Sequence, residues 1–366
     1  MNNSTRNVSE IKSELTINGS KDCFIEDINI NINLIKKRIK KDLKIININI
    51  GKYTKTKIKI VYISSITDKR LIKNIEKKLI KINIDGILDS SYLKHALEDE
   101  NNLFPTIMET ERPDKSCMAL LEGKAIIIVD NSPYVLILPS LILDFFHTPD
   151  DYYQKSFNTT FIRLIRTIAF FISILLPGIY LSITTRNYNL VPLPLLLMLK
   201  AGRSFVPFPA YIEALLMIIA FEILKESDLR ISQASSSSIS ILGGLILGDA
   251  AVAAGIVSPI MIIIIAISSI AGLIFPSQEL VNTIRIYKII TLILSTILGI
   301  YGVILSFGIM IYNIISTKIF GYNYLAYSKS ELLDSIIKID SKLRKRNKKL
   351  TKNIIRGRYK WKNTYC

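Results

Sequence analysis

Three acids, Glu213, Glu222 and Asp249, stand in long apolar runs: FPAYIEALLMIIAFEILKESD from Phe208 to Asp228, and ISILGGLILGDAAVAAGIV from Ile239 to Val257. A carboxylate at bilayer depth costs roughly 2.5–3.5 kcal/mol on insertion scales, so it persists where it faces protein, water or an ion path. The chemistry open to such residues is ion attraction along a polar route, or hydrogen bonding between helices. Glu213 admits both readings, as a polar lining or as a structural partner of a neighbouring helix or of Arg203. Glu222, close to Lys225 and Glu226, reads as a snorkelling or salt-bridged anchor at an interface. Nine residues separate the two glutamates, about 900° of helical rotation, so they cannot line one face of a straight helix.

Around Asp249, Ser240, Gly244 and Gly248 recur every four residues and Ala251 stands four before Gly255. Small residues let helices approach closely, which matters where lipid supplies little hydrophobic drive. Glu213, Asp249, Val252, Ile256 and Ser258 are therefore the candidates for a polar path. Val252 and Ile256, one turn apart, are expected to form an apolar gate that opens by wetting. Pro177, Pro207, Pro209 and Pro259 are expected helix breaks or hinges. Arg163, Arg166, Arg203 and Glu222 are expected anchors at the membrane interface.

Other chemistry has little support. Two histidines cannot build a histidine-based catalytic or metal cluster, and three cysteines without CxxC or CxxH spacing suggest neither a disulfide framework nor zinc. No phosphate loop, nucleophile elbow or dinucleotide fingerprint occurs in its required context. No enzyme activity, cofactor or metal is expected.

The elements that must position these residues follow from patterning. Hydrophobic residues make up 49% of the 366 and mean hydropathy is +0.35, above the range of an ordinary soluble globule. The expected fold class is an α/β soluble N-terminal domain followed by an all-α polytopic membrane domain. Residues 1–23 carry no secretory signal and read as disordered or linker. Residues 24–155 read as a cytoplasmic α/β domain. Isoleucines at helical spacing predict a helix over 24–41, and helical periodicity returns over 68–81. Alternation predicts strands over 44–50 and 57–63, and short apolar runs predict strands over 125–129 and 134–138. His95 is placed on a helix surface, and Asp85 and Asp89 are read as caps and turn formers.

Residues 156–320 read as a transmembrane helical domain with about four spans plus re-entrant or broken helices. Ile162–Thr185 is about long enough to cross, Leu190–Leu199 is too short, and Ile289–Ile315 reads as one long final segment. Residues 321–366 read as a basic cytoplasmic tail, which places both termini in the cytoplasm. The net charge of +17 concentrates there, with 13 Lys and Arg against 3 Asp and Glu from residue 329 on. Dense charge directly behind membrane spans points to anionic lipid, not nucleic acid.

The ordered blocks GKAIIIVDNSPYVLILP, LDFFHTPDDYYQKSF, FIRLIRTIAFFISILLPGIYLSITT, VPFPAYIEALLMIIAFEILKESDLR and LGDAAVAAGIVSP resemble the A-subunit family of spore germinant receptors, the GerA family. INIDGILDSSYL and FPTIMETERPDK also resemble it, and the resemblance runs from about Gly19 to Tyr327. It implies a multi-pass subunit of the spore inner membrane, working with a transporter-like B subunit and a lipoprotein C subunit. It further implies a homo-oligomer around a nutrient-gated pore that releases monovalent cations early in germination. Family members usually carry two subdomains before the membrane, and this chain begins near the second, so a short form lacking the first is expected. A non-conducting scaffold is the alternative function. A secondary transporter is a third, although no internal repeat stands out.

Overall fold

Alternating isoleucine with lysine or asparagine folds residues 43–63 into an antiparallel hairpin. β1 (Leu43–Ile50) pairs with β2 (Thr56–Ile63) from Leu43 opposite Ile63 to Ile50 opposite Thr56. Three more strands, β3 (Met108–Thr110), β4 (Ala125–Val129) and β5 (Val135–Leu138), complete an antiparallel sheet in the order β1-β2-β4-β5-β3. The outer β1 alternates in burial, whereas every residue of β4 and β5 is buried, which explains their uninterrupted apolar sequence. The computed structural model describes residues 14, 19–99, 102–230, 244 and 248–325. The chain divides into two units, Met1–Leu164 with Asn313–Cys366, and Ile165–Tyr312.

The sheet belongs to the first unit with helices α1 (Ile28–Arg38), α2 (Lys69–Lys81), α3 (Ser90–Leu97) and α4 (Pro113–Leu121). Asp27, Asp68 and Asp89 cap α1, α2 and α3, each side chain accepting from a backbone N–H of the first turn. Along α2, Leu71, Ile72, Ile75 and Leu79 are buried at helical spacing and the lysines cover the other side. The helix expected around His95 is α3, capped by Asp89, but sequence patterning did not predict β3 or α4. β3 is three residues long, too short for alternation to register, and α4 is announced only by Pro113 at its first position.

Most of residues 1–23, expected to be disordered or linker, lie outside the described residues. Within them the Glu14 carboxylate accepts from Thr110 Oγ1 at 2.5 Å and pairs with Lys115 Nζ at 2.7 Å. The tail read as starting at 321 begins inside the fold. A tight hairpin joins β6 (Lys318–Ile319) to β7 (Tyr322–Asn323), with positive φ at Phe320 and Gly321 as such a turn requires. Beyond it Tyr324 is fully buried and donates to Pro105 O at 2.6 Å. Tyr322 donates to Asp68 at 3.0 Å, Asn74 donates to Phe320 O at 2.8 Å, and Lys78 lies 4.9 Å over the Phe320 ring. The basic run Lys342–Lys352 lies outside the described residues.

The second unit is helical. After α5 (Asp150–Tyr153), which belongs to the first unit, come α6 (Ser156–Thr185), α7 (Leu193–Ala201), α8 (Ala210–Arg230), α9 (Pro259–Leu273), α10 (Gln278–Leu298) and α11 (Ile300–Ser316). α6 and α10 have the length and hydropathy to cross a membrane, and α9 and α11 are shorter apolar helices. Pro177, expected to kink or break its helix, lies inside α6, which continues through it. The single final segment expected over 289–315 is instead two helices divided at Gly299, whose φ of 63° and ψ of −137° suit glycine alone. The chain folds back so sharply there that a Cβ on Gly302 would stand 2.0 Å from Leu294 O.

Contacts fix the helix directions. Glu213 near the start of α8 touches Ser258 at the start of α9, so these two run parallel. Glu222 of α8 meets Arg285 of α10 at 2.7 Å. α6 runs with α10: a Cβ on Gly178 would come within 2.6 Å of Thr291, and Arg186 reaches Thr296 O at 3.0 Å. Of the first three members of the small-residue stripe, Gly244 and Gly248 lie within the described residues and Ser240 does not.

Candidate functional site

The site grows from three local stops. Pro209 precedes α8, and its carbonyl accepts from Ile212 and Glu213 N–H at 3.0 and 3.2 Å. The helical turn at 248–253 ends on Gly255 with φ of 64°, where Gly255 N–H bonds Val252 O at 2.9 Å and Ile256 N–H bonds Ala251 O at 3.0 Å. That pair of bonds is a Schellman stop, and it requires the left-handed residue glycine supplies. Pro259 then takes the first position of α9, with Ser258 as its N-cap.

Glu213 joins these stops. Its Oε1 accepts from Arg203 Nε at 3.1 Å and Nη2 at 2.9 Å, and its Oε2 accepts from Ser258 N–H at 3.1 Å and Ser258 Oγ at 3.0 Å. Glu213 and Ser258 are fully buried, and the Arg203 side chain is 19% exposed. The Ser258 hydroxyl makes no cap bond to its own helix because it is turned to the carboxylate. The carboxylate thus meets a guanidinium fork on one side and the positive end of α9 on the other, which is the charge arrangement both prefer. Of the two readings open for Glu213 from sequence, this geometry is the structural one. Both oxygens are occupied and the charge is matched by Arg203.

The neighbouring candidates stand apart from this clamp. Asp249 is exposed, and Val252 and Ile256 are 36% and 41% exposed, on the turn that leads into buried Val257 and Ser258. Among the described residues the structure therefore brings Glu213, Ser258 and Arg203 together and leaves Asp249, Val252 and Ile256 outside that cluster. Pro207 and Pro209 flank Phe208 before α8. Of the expected anchors, Arg163 pairs with Asp151 at 3.3 Å in the first unit, Arg166 is buried, and Arg203 belongs to the clamp.

Glu222 pairs across helices with Arg285 at 2.7 Å, a more distant partner than the neighbouring Lys225 and Glu226 that sequence offered. Sequence reasoning also missed the Arg186–Asn187 corner that holds the α10–α11 reversal. Asn187 Oδ1 accepts from Ile300 N–H at 3.0 Å, and a Cβ on Gly299 would come 2.2 Å from that same oxygen. Neither residue has a periodic or motif signal, since the pairing spans more than a hundred residues.

In the first unit Cys23 and Cys117 are buried, and burial pushes the Cys117 thiol up to about 12. Burial also works against the Asp114 carboxylate, but Arg112, bonded at 2.7 and 3.0 Å, and the Tyr153 hydroxyl at 2.7 Å outweigh it and hold its pKa below the usual value.

A profile of the Bacillus/Clostridium GerA spore germination protein family matches residues 1–350. This chain belongs to that family. Spore germination protein KA of Bacillus subtilis is 38% identical over 340 residues, covering 91% of this chain and 62% of that protein. Spore germination protein B1 of the same organism is 36% identical over 348 residues, covering 93% of this chain and 72% of its own length. The GerA chain described here thus spans about two thirds of the length of these relatives. Among solved structures, the N-terminal domain of the A subunit of the Bacillus megaterium spore germinant receptor GerK3 is 41% identical. It covers 33% of this chain and 97% of its own, with a TM-score of 0.28.

Proposed function

We propose that this chain is an A subunit of a spore germinant receptor whose helical unit lies in the spore inner membrane and lines an ion path when copies assemble. The observation that carries the membrane reading is the exposed isoleucine face of α10. Thr283, Lys288, Thr291 and Ser295 are buried together with Leu280, Ile284, Tyr287 and Leu292, while Ile286, Ile289, Ile293 and Ile297 are exposed by 36–56%. A continuous apolar face is costly in water, and lipid removes the penalty on the isoleucine side. Polar side chains turned inward then bond carbonyls, as Thr291 does to Tyr287 O at 2.8 Å. In this reading α6 and α10 cross the membrane, the shorter apolar helices α9 and α11 pack beside them, and both termini lie on the cytoplasmic spore-core side.

The path itself is assigned to the turn holding Asp249, Val252 and Ile256. A carboxylate exposed on a lipid-solvated unit needs water or a protein neighbour. Copies packed around an axis would supply both, with Val252 and Ile256 as the apolar constriction and Asp249 as an attractor of monovalent cations. Glu213 holds the break that presents this turn and has no contact with the ion. A transporter-like B subunit that senses the nutrient and a lipoprotein C subunit complete the receptor in this reading.

Spores carrying Asp249→Asn as their sole receptor A subunit test it. Assembly should persist while cation release on nutrient addition falls and germination slows. Unchanged ion release with intact assembly would instead favour a non-conducting scaffold. The same outcome for Val252→Ala and Ile256→Ala would remove the gate.

A further inference from the structure

The charge of the sheet unit is split along its sequence. Residues 36–81, which hold the end of α1, the β1–β2 hairpin and α2, carry 16 Lys and Arg against 3 Asp and Glu, whereas residues 1–35 and 82–155 together carry 8 against 18. Outside the basic stretch, carboxylates meet partners within the unit: Glu14 pairs with Lys115, Asp114 with Arg112 and Asp144 with Lys124. Within it, Lys69, Lys73, Lys77 and Lys81 recur every four residues along the exposed side of α2, and among the described residues none of the four makes an ion pair. Ile80 stands two turns after Lys73 on that same side and is 74% exposed. The β1–β2 turn is tied to the chain leaving α2, with Lys52 and Tyr53 N–H donating to Ile84 O and Asp85 O at 3.1 and 2.9 Å, and Tyr53 is 76% exposed.

Like charges four residues apart on one helix repel, and a counter-charged surface removes that repulsion. Ammonium groups with an isoleucine and a tyrosine exposed among them suit lipid headgroups, since the cations reach phosphates while the apolar and aromatic side chains enter the interface. Connectivity favours a bilayer over a nucleic acid as that surface. The flank of α2 beside the lysine row holds the β6–β7 hairpin through Asp68, Asn74 and Lys78, and Phe320 of that hairpin is only four residues beyond Ser316, the end of α11. Four residues reach at most about 14 Å. With α11 packed beside the membrane helices, α2 is thus tethered within that distance of the α11 end.

We infer that the lysine row of α2, with Ile80 and Tyr53, is a docking surface for the anionic headgroups of the bilayer that holds the helical unit. The surface rests on the membrane reading of that unit and deepens it, by giving the sheet unit a lipid contact of its own. Lys69, Lys73, Lys77 and Lys81 lie over the phosphates, and Ile80 dips between the headgroups. Docking fixes α2, and through the hairpin bonds to Asp68 and Asn74 it fixes the chain that leaves α11.

The test uses the full chain, with Cys23, Cys117 and Cys366 replaced by serine and Ile80→Cys carrying a polarity-sensitive fluorophore, in vesicles of phosphatidylcholine alone or mixed with phosphatidylglycerol. Emission should shift to the blue in the mixed vesicles. Salt at about 1 M, which cuts the Debye length to about 3 Å, should reverse the shift. Lys73→Gln and Lys77→Gln should each lower the ratio of docked to undocked label roughly fivefold, from about 1 kcal/mol per basic residue near an anionic surface, and Lys73→Arg should retain it. Circular dichroism separates lost docking from lost fold, and the salt measurement needs no lysine variant. Equal emission in the two kinds of vesicle would overturn the surface, as would a shift indifferent to salt and to the lysines. Binding of a fluorescent RNA duplex by chains in phosphatidylcholine, with no response to phosphatidylglycerol, would assign the row to nucleic acid and overturn it too. A chain that fails to enter vesicles of either composition would overturn the membrane reading itself, an outcome distinct from equal emission.

Discussion

α2 and α10 differ in what their outer faces carry. α2 buries Leu71, Ile72, Ile75 and Leu79 and exposes lysines, whereas α10 buries Thr283, Lys288, Thr291 and Ser295 along with Leu280, Ile284 and Leu292 and still exposes isoleucines. The exposed faces therefore report two solvents. In the sheet unit the burial of apolar area drives folding. In the helical unit the specific energy comes from polar clamps and close backbone approach, because apolar side chains gain little by leaving lipid.

That contrast can be broken most severely at Glu213. Glu213→Ala leaves Arg203 and Ser258 without their partner and should cost about 3–5 kcal/mol, the range for breaking a buried pair. Hydrogen exchange of peptides covering residues 203–213 and 257–265 in detergent should rise while β4 stays protected. Glu213→Gln keeps acceptors for Ser258 and should cost less.

Next in size, Ile75→Ala in the fully buried core of α2 should cost about 2–5 kcal/mol, and Ile293→Ala on the exposed face of α10 less than about 0.5 kcal/mol. Equal losses in thermal unfolding would erase the distinction between the two units. Gly299→Ala forces a Cβ toward Asn187 Oδ1 in a backbone region closed to alanine, and should cost about 1–3 kcal/mol. Faster exchange at the α10–α11 reversal would report it.

The smallest effect is the pH response of the sheet unit. The folded Asp114 pKa is depressed, so its contribution is present above the unfolded value of about 3.9 and is lost as pH falls through the folded value. Asp114→Asn should flatten the acid limb of the unfolding midpoint against pH. An unchanged limb would mean that Arg112 and Tyr153 stabilise the neutral side chain equally.

Much of the sheet unit was legible in sequence because its signals are local. β1, β2, β4 and β5 showed as alternation or short apolar runs, α1 and α2 as helical periodicity, and Asp89 as a cap. β3 escaped through brevity. In the helical unit the apolar lengths were legible but the divisions were not: Gly299 ended a helix where Pro177 did not, because backbone reversal depends on Asn187, far away in the chain. At the clamp, sequence could place Arg203 and Glu213 within reach of each other. It could not reveal that Ser258 would fill the other carboxylate oxygen, since parallel packing of α8 and α9 is a tertiary fact.

The account's central claim is that two faces of the helical unit meet different surroundings, water at Asp249 and Ile256, lipid at Ile293. Single cysteines at these positions, in a full-length chain with Cys23, Cys117 and Cys366 replaced by serine, can be probed in reconstituted vesicles with a membrane-impermeant thiol reagent. Asp249→Cys and Ile256→Cys should be modified and Ile293→Cys spared. Equal modification of all three, or protection of the first two with labelling of the third, would contradict the account.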